Sequence, residues 1–173
     1  MAKSSDAFFI RAKVEQTGSA YKSQTIDLGS FVNIGPKSST LLRVHSLSVQ
    51  IADESEPFKG PYTINATMNI GWDLTTQEQT TLVPLSDKSV VASGRYMVTE
   101  SAASTDIIND SDFKDLMPQT WDNGYLIGVD SLYLNTQADS ISTNGDYFIS
   151  VVLECTTETA TQASSTALAL SQQ

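Results

Sequence analysis

Apolar and polar side chains alternate along this chain with a period of two over most of its length. In the run Tyr62-Thr63-Ile64-Asn65-Ala66-Thr67-Met68-Asn69-Ile70-Gly71-Trp72-Asp73-Leu74, every second residue is apolar and the residues between are mostly Thr, Asn or Asp. Side chains of an extended strand point alternately to its two faces, so this run predicts a long strand with one buried and one polar face; a helix would scatter the same residues around its circumference. Less regular runs rich in β-branched and aromatic residues predict further strands at 7–15, 24–33, 41–52, 89–92, 95–99, 125–135 and 146–157, making about eight in all. Turn chemistry separates them, as at Gly35-Pro36-Lys37 and Glu56-Pro57-Phe58-Lys59-Gly60-Pro61. Asn144-Gly145 is the strongest hairpin marker and predicts that the 125–135 and 146–157 strands are antiparallel neighbours. The one helix-like stretch is 104–117, stopped by Pro118 and read as an insertion of at most two turns.

This pattern fits an all-β fold, a two-sheet antiparallel sandwich of jelly-roll type. At 173 residues the chain is the size of one domain. A core over about residues 7–157 would be followed by a tail, 158–173. After Glu158 that tail is small and uncharged, and it reads as a disordered end, a short helix or an arm laid on a neighbour through Leu168 and Leu170.

Charge is unevenly distributed. The net charge is −10, yet residues 1–50 carry six basic side chains against three acidic ones, and no basic residue follows Lys114. Phosphate neutralisation needs clustered Lys and Arg, so direct nucleic-acid binding is not expected. No apolar run is long enough for a transmembrane segment, and the polar start Met1-Ala2-Lys3-Ser4-Ser5-Asp6 lacks the form of a secretory signal. A lone Cys155 excludes an internal disulfide and, placed within a strand, reads as a small buried hydrophobe.

Candidate chemistry is sparse. His45 is the single histidine, lies in mid-strand and has no nucleophile-elbow motif to serve, so it reads as a hydrogen-bonded strand histidine and the chain as a non-enzyme. Zinc, copper and iron sites would lack ligands. No cofactor is expected; calcium is the one metal with candidates, at Asp106, Asp110, Asp112 and Asp115, but the segment lacks the glycine and closing glutamate of an EF-hand and reads first as an acidic solvated loop and helix start. Trp121 sits among polar residues in Pro118-Gln119-Thr120-Trp121-Asp122-Asn123-Gly124 and reads as a loop tryptophan that plugs the sandwich or anchors an interface.

The strand count, the Ser/Thr/Asn/Gln-rich polar face of Thr63 to Asn69, the absence of catalytic residues and the closing run Asn144-Gly145-Asp146-Tyr147-Phe148-Ile149-Ser150-Val151-Val152-Leu153 carry a resemblance over 7–157. On these features the chain resembles single jelly-roll capsid proteins of tail-less icosahedral viruses. The resemblance implies a structural virion protein made in the host cytoplasm that self-assembles, or co-assembles with a second capsid protein, into a shell. The absence of a basic arm suits a shell laid over an internal membrane. An alternative from another class is a carbohydrate-binding or adhesin-like β-sandwich that uses calcium.

Overall fold

The computed structural model describes residues 5–35, 39–63, 66–100, 107–109, 118–142 and 145–172. Among the described residues there are ten strands and one helix: β1 (Phe8–Gln16), β2 (Lys22–Asp27), β3 (Asn33–Ile34), β4 (Ser39–Asp53), β5 (Thr67–Thr75), β6 (Val90–Glu100), β7 (Ile107–Asn109), β8 (Gln119–Ile127), β9 (Ser131–Ala138), β10 (Tyr147–Ala160) and α1 (Gln162–Ser171). They form two five-stranded antiparallel sheets. In sheet A the order is β1-β10-β4-β3, with β8 also paired to β4; in sheet B it is β2-β9-β5-β6-β7.

Setting aside the short β3 and β7, eight strands remain, and their pairing follows one rule. The first pairs with the last (β1 with β10), the second with the seventh (β2 with β9), the third with the sixth (β4 with β8) and the fourth with the fifth (β5 with β6). This is one long antiparallel ribbon wound on itself, closed by the contacts of β10 with β4 and of β9 with β5. Such winding defines the jelly roll and leaves two sheets face to face. The fold is therefore the expected one, reached here from strand pairing alone.

Between the sheets lies a core that includes Val14, Leu42, Val44 and Leu47 of β1 and β4, Met68, Ile70, Trp72 and Leu74 of β5, Leu132 and Leu134 of β9, and Ile149, Val151, Leu153 and Cys155 of β10. The period-two run therefore holds from Met68 to Leu74, whose alternate apolar members are buried. Trp72 is 1% exposed, and Gly94 across from it makes room for the indole: a Cβ there would lie 2.7 Å from Nε1.

Several expected boundaries change. The long strand begins at Thr67, not Tyr62. The 89–92 and 95–99 runs are one strand, β6. The 24–33 run is strand only to Asp27, because the chain turns through Leu28, whose carbonyl accepts from the N–H groups of Phe31 and Val32. The 125–135 run is two strands in opposite sheets, β8 and β9, joined through Gly128 to Asp130. Because β9 and β10 also lie in opposite sheets, Asn144-Gly145 marks no hairpin between neighbours; Gly145, at φ 95°, instead closes a small turn onto Ser142. The helix expected over 104–117 is replaced at Ile107–Asn109 by β7; the rest of that stretch lies outside the described residues. Hydrophobic alternation reports which face a residue takes but not where the chain changes sheets, and that accounts for the split and merged strands.

Cys155 is fully buried in β10, as its strand setting suggested, and burial pushes its thiol up to about 12. The thiolate is the reactive form, so the folded protein should resist a thiol-specific reagent at neutral pH and be labelled at the rate of global opening, rising to full reactivity in denaturant. Fast stoichiometric labelling without denaturant would contradict this placement.

Candidate assembly surfaces

With the interior filled, the chemistry of this chain lies on its outside. The sandwich has two ends. At one, the β4–β5 connection meets the β9–β10 connection, where the Glu54 N–H donates to the Asp146 carbonyl at 3.2 Å. At the other lie β3, the β5–β6 connection, the β8–β9 connection and α1. Large apolar side chains stand exposed at both, Phe58 and Ile141 at the first, Ile34 and Leu170 at the second. Val32, Ile34, Val129 and Ala169 also line a cleft of about 440 Å³ at the second end.

The tail that the sequence left open folds onto its own domain. Thr161 caps α1, its hydroxyl accepting from the Ser164 N–H at 3.3 Å. An isolated ten-residue helix is marginal in water, so tertiary contacts must hold this one. Ser165 is buried and donates to the Ser39 hydroxyl at 2.8 Å, and Leu168 packs over Gly128, where a Cβ would lie 3.2 Å from its Cδ2. Gln172 is the strongest anchor. It is 3% exposed, its Nε2 donates to the Leu126 carbonyl at 2.7 Å, and its Oε1 accepts from the Gly128 N–H at 2.9 Å. Its backbone carbonyl accepts from the Thr76 hydroxyl at 2.7 Å and from Gln77 Nε2 at 3.1 Å. One residue thus ties the end of β8 in sheet A to the segment after β5 in sheet B. Nothing in the sequence singled out Gln172, since a polar residue near a chain end carries no local sign of burial.

Of the interface candidates, Leu168 is half-buried beneath α1 and Leu170 stands 65% exposed on it. Trp121 lies in a strand and not in a loop, although the pairing of β8 with β4 breaks around it, between Thr120 opposite Ser46 and Tyr125 opposite Val44. The indole packs against the rim of the core, 6.0 Å from the Tyr125 ring. Arg43 holds this bulge. It donates to the Asn123 carbonyl and forms a two-pronged pair with Glu158 of β10, at 2.8 Å through Nη2 and 3.0 Å through Nε. Gly124 adopts φ +70°, where a Cβ would strike the Arg43 side chain.

Loop 76–89 crosses the outer face of sheet B. Leu82 sits over Gly71, and the Val83 N–H donates to Asp73 Oδ2 at 3.0 Å. Asp73 is 1% exposed; its Oδ1 accepts from Asn135 Nδ2 at 2.7 Å. Desolvation raises its pKa, only partly offset by these two hydrogen bonds.

His45 is half-buried on β4 with Nε2 2.9 Å from the Thr156 hydroxyl. Asp106, Asp110, Asp112 and Asp115 lie outside the described residues, and among those described no three His, Cys, Asp or Glu side chains converge as metal ligands do. Among the described residues, no helix is long and apolar enough to cross a membrane.

No protein-family model matches this chain, and no curated protein matches it. Among solved structures it is similar to VP1 of Trichodysplasia spinulosa-associated polyomavirus in complex with 3'-sialyllactose, at 9% identity and TM-score 0.44, covering 88% of this chain and 95% of that one. It is also similar to the unassembled VP1 pentamer of Merkel cell polyomavirus, at 7% identity and TM-score 0.47 over 88% and 95% of the two chains. Human polyomavirus 12 VP1 in complex with 3'-sialyllactosamine gives 5% identity and TM-score 0.47 over 89% and 100%. Likeness at this level transfers no residue and no activity.

Two outcomes follow for the buried polar groups. Gln172→Ala leaves the Leu126 carbonyl and the Gly128 N–H without their partner and should cost about 1–3 kcal/mol in urea unfolding; an unchanged midpoint would show that the tail is not docked. Asp73 titrates higher in the folded chain than in the unfolded one, so its stabilising contribution is complete below the unfolded value of about 3.9 and is lost as pH rises through the folded value. The stability of the wild type relative to Asp73→Asn should therefore increase as pH falls toward about 4, and a difference that is flat or of opposite slope would contradict the burial of the carboxylate.

Proposed function

We propose that this chain is a capsid subunit, a single jelly roll that acts by assembling with copies of itself, and with a second coat protein where the shell has one. The observation that carries the reading is the jelly-roll winding with an interior filled by its own side chains, Trp72, Leu134 and Leu153 among them. Jelly rolls serve as coat, lectin and small-molecule-binding domains. The last of these uses holds its ligand between the sheets, where this chain has packed its core. What remains is the surface, with sheet edges unpaired among the described residues and exposed apolar side chains at both ends. Single exposed apolar residues are ordinary, but Ile34 and Leu170 stand at one end near a cleft lined in part by Val32, Val129 and Ala169, the placement expected of a contact surface.

A coat subunit functions through geometry. Each contact buries a moderate area, and repetition around a closed symmetry converts weak contacts into a stable shell. The acidic surface keeps free subunits apart until they meet in the right orientation. The place of such a subunit is the virion; an underlying membrane and a partner coat protein are further parts of this proposal.

Purified protein, concentrated and viewed by negative stain alongside sedimentation velocity, should show rings or closed shells of uniform size. A strict monomer at all concentrations that binds a glycan array, with affinity lost to a chelator, would replace this reading with that of a calcium-dependent lectin.

A further inference from the structure

On one side of the sandwich both sheets end in neighbouring strands, sheet A in β1 and sheet B in β2. Among the described residues β1 pairs only with β10, and β2 only with β9. The chain returns from β1 to β2 through residues 17–21, so the two strands run in opposite directions. A groove of about 320 Å³ separates them, with residues 10–13 of β1 on one wall and 24–27 of β2 on the other. Ile10 and Val14 of β1 and Ile26 of β2 turn inward and are buried. By alternation Arg11, Lys13, Thr25 and Asp27 lie on the outer faces, and all four are exposed.

The charges on these edges are ordered. Arg11 and Asp27 line the groove from its two walls, while Glu15 and Lys22 flank the 17–21 connection. Lys13 pairs with Glu15 at 2.7 Å, whereas Arg11 and Asp27 are absent from the ion pairs among the described residues. Arg11 lies 5.6 Å from the Phe9 ring centroid, and Asp27 Oδ1 accepts from the Gly29 N–H at 2.8 Å.

An unpaired strand edge is a template for another strand, and here one symmetry operation serves both edges. A two-fold axis parallel to the strands, placed beside the groove, exchanges the levels of the two sheets and keeps the direction of every strand. It lays β1 of a second copy along β2 of the first in antiparallel sense, and β2 of the second along β1 of the first. Rotation moves nothing along its axis, so residues level with each other across the groove of one copy become opposite across the interface. Arg11 of each copy then meets Asp27 of the other, and the inward-facing Ile10 and Ile26 stay on the core side.

We propose that two copies of this chain form a dimer about this axis, sheet A of each continuing into sheet B of the other through pairing of β1 with β2. The dimer rests on the coat-subunit reading for its place in a shell and specifies one contact of that shell. The same surface serves both copies, so the contact closes at two. Opposite charges on facing strands fix the register, and salt weakens them without removing the backbone pairing.

The test uses full-length variants, Arg11→Asp and Asp27→Arg, each shown to be folded by circular dichroism and melting. Each converts two attractive pairs into two repulsive ones and should lower the dimerisation constant at low salt about tenfold or more by sedimentation equilibrium. An equimolar mixture of the two should dimerise again as a one-to-one heterodimer, because both of its pairs are then opposite in charge. Should either variant fail to fold, single cysteines decide: Lys13→Cys in one chain and Thr25→Cys in another, mixed and mildly oxidised, should join covalently, with the buried Cys155 not competing. Wild-type association with variants that dimerise undiminished, a mixture no better than its components, or cysteine chains that do not join each overturns this contact and leaves the coat reading standing. A wild type that stays monomeric at every concentration overturns both.

Discussion

Sheet A is organised around the ladder between β4 and β10, in which Ser39–Asp53 runs antiparallel to Tyr147–Ala160. Nearly everything else in the domain is placed relative to it. β1 lies against the outer side of β10, β8 and β3 lie against β4, and α1 hangs from the end of β10. The inner face of the ladder supplies Leu42, Val44, Leu47, Ile149, Val151 and Leu153, against which sheet B packs Met68, Ile70, Trp72 and Leu134. Burying these side chains is the dominant favourable term, and the antiparallel ladder satisfies the backbone groups that would otherwise be buried without partners. The one register shift in it, between Glu154 and Cys155, falls near the point where β8 loses its own register on β4 around His45. A bulge bends a strand and increases its twist, so irregularity on both sides of β4 curves the sheet over the core at that level.

Two polar clusters extend this organisation outward. Gln172 ties the end of β8 to the segment after β5, clamping the two sheets at one end of the sandwich where no strand pairing joins them. Asp73 and Asn135 perform a comparable task on the outer face of sheet B, fixing loop 76–89 over it through the Val83 N–H. In both cases a buried polar group is retained with hydrogen-bond partners, which gives positional specificity that apolar packing alone does not. One face of sheet B is thereby covered by its own chain.

The consequence for function is a separation of roles. The interior maintains shape, and the surface carries the exposed apolar residues, several of them at the two ends. Net charge alone describes solubility; its distribution over a known surface describes direction.

The sequence by itself determined the class of structure. Alternation from Met68 to Leu74 is a property of successive residues and is legible without a partner strand, and the setting of Cys155 and His45 within strands followed in the same way. Which strands pair was decided only in three dimensions. The break between β8 and β9 at Gly128 to Asp130 sends neighbouring segments to opposite sheets, and the Asn144-Gly145 turn joins strands that never pair, because long-range burial outweighs local turn preference. Trp121 looked like a loop residue because its neighbours are polar; they are polar because a bulge turns them to solvent, with Arg43 and Glu158, far apart in sequence, holding it. The burial of Gln172 and Asp73 left no local trace, since a polar side chain is buried only where distant segments bring it the donors and acceptors it needs.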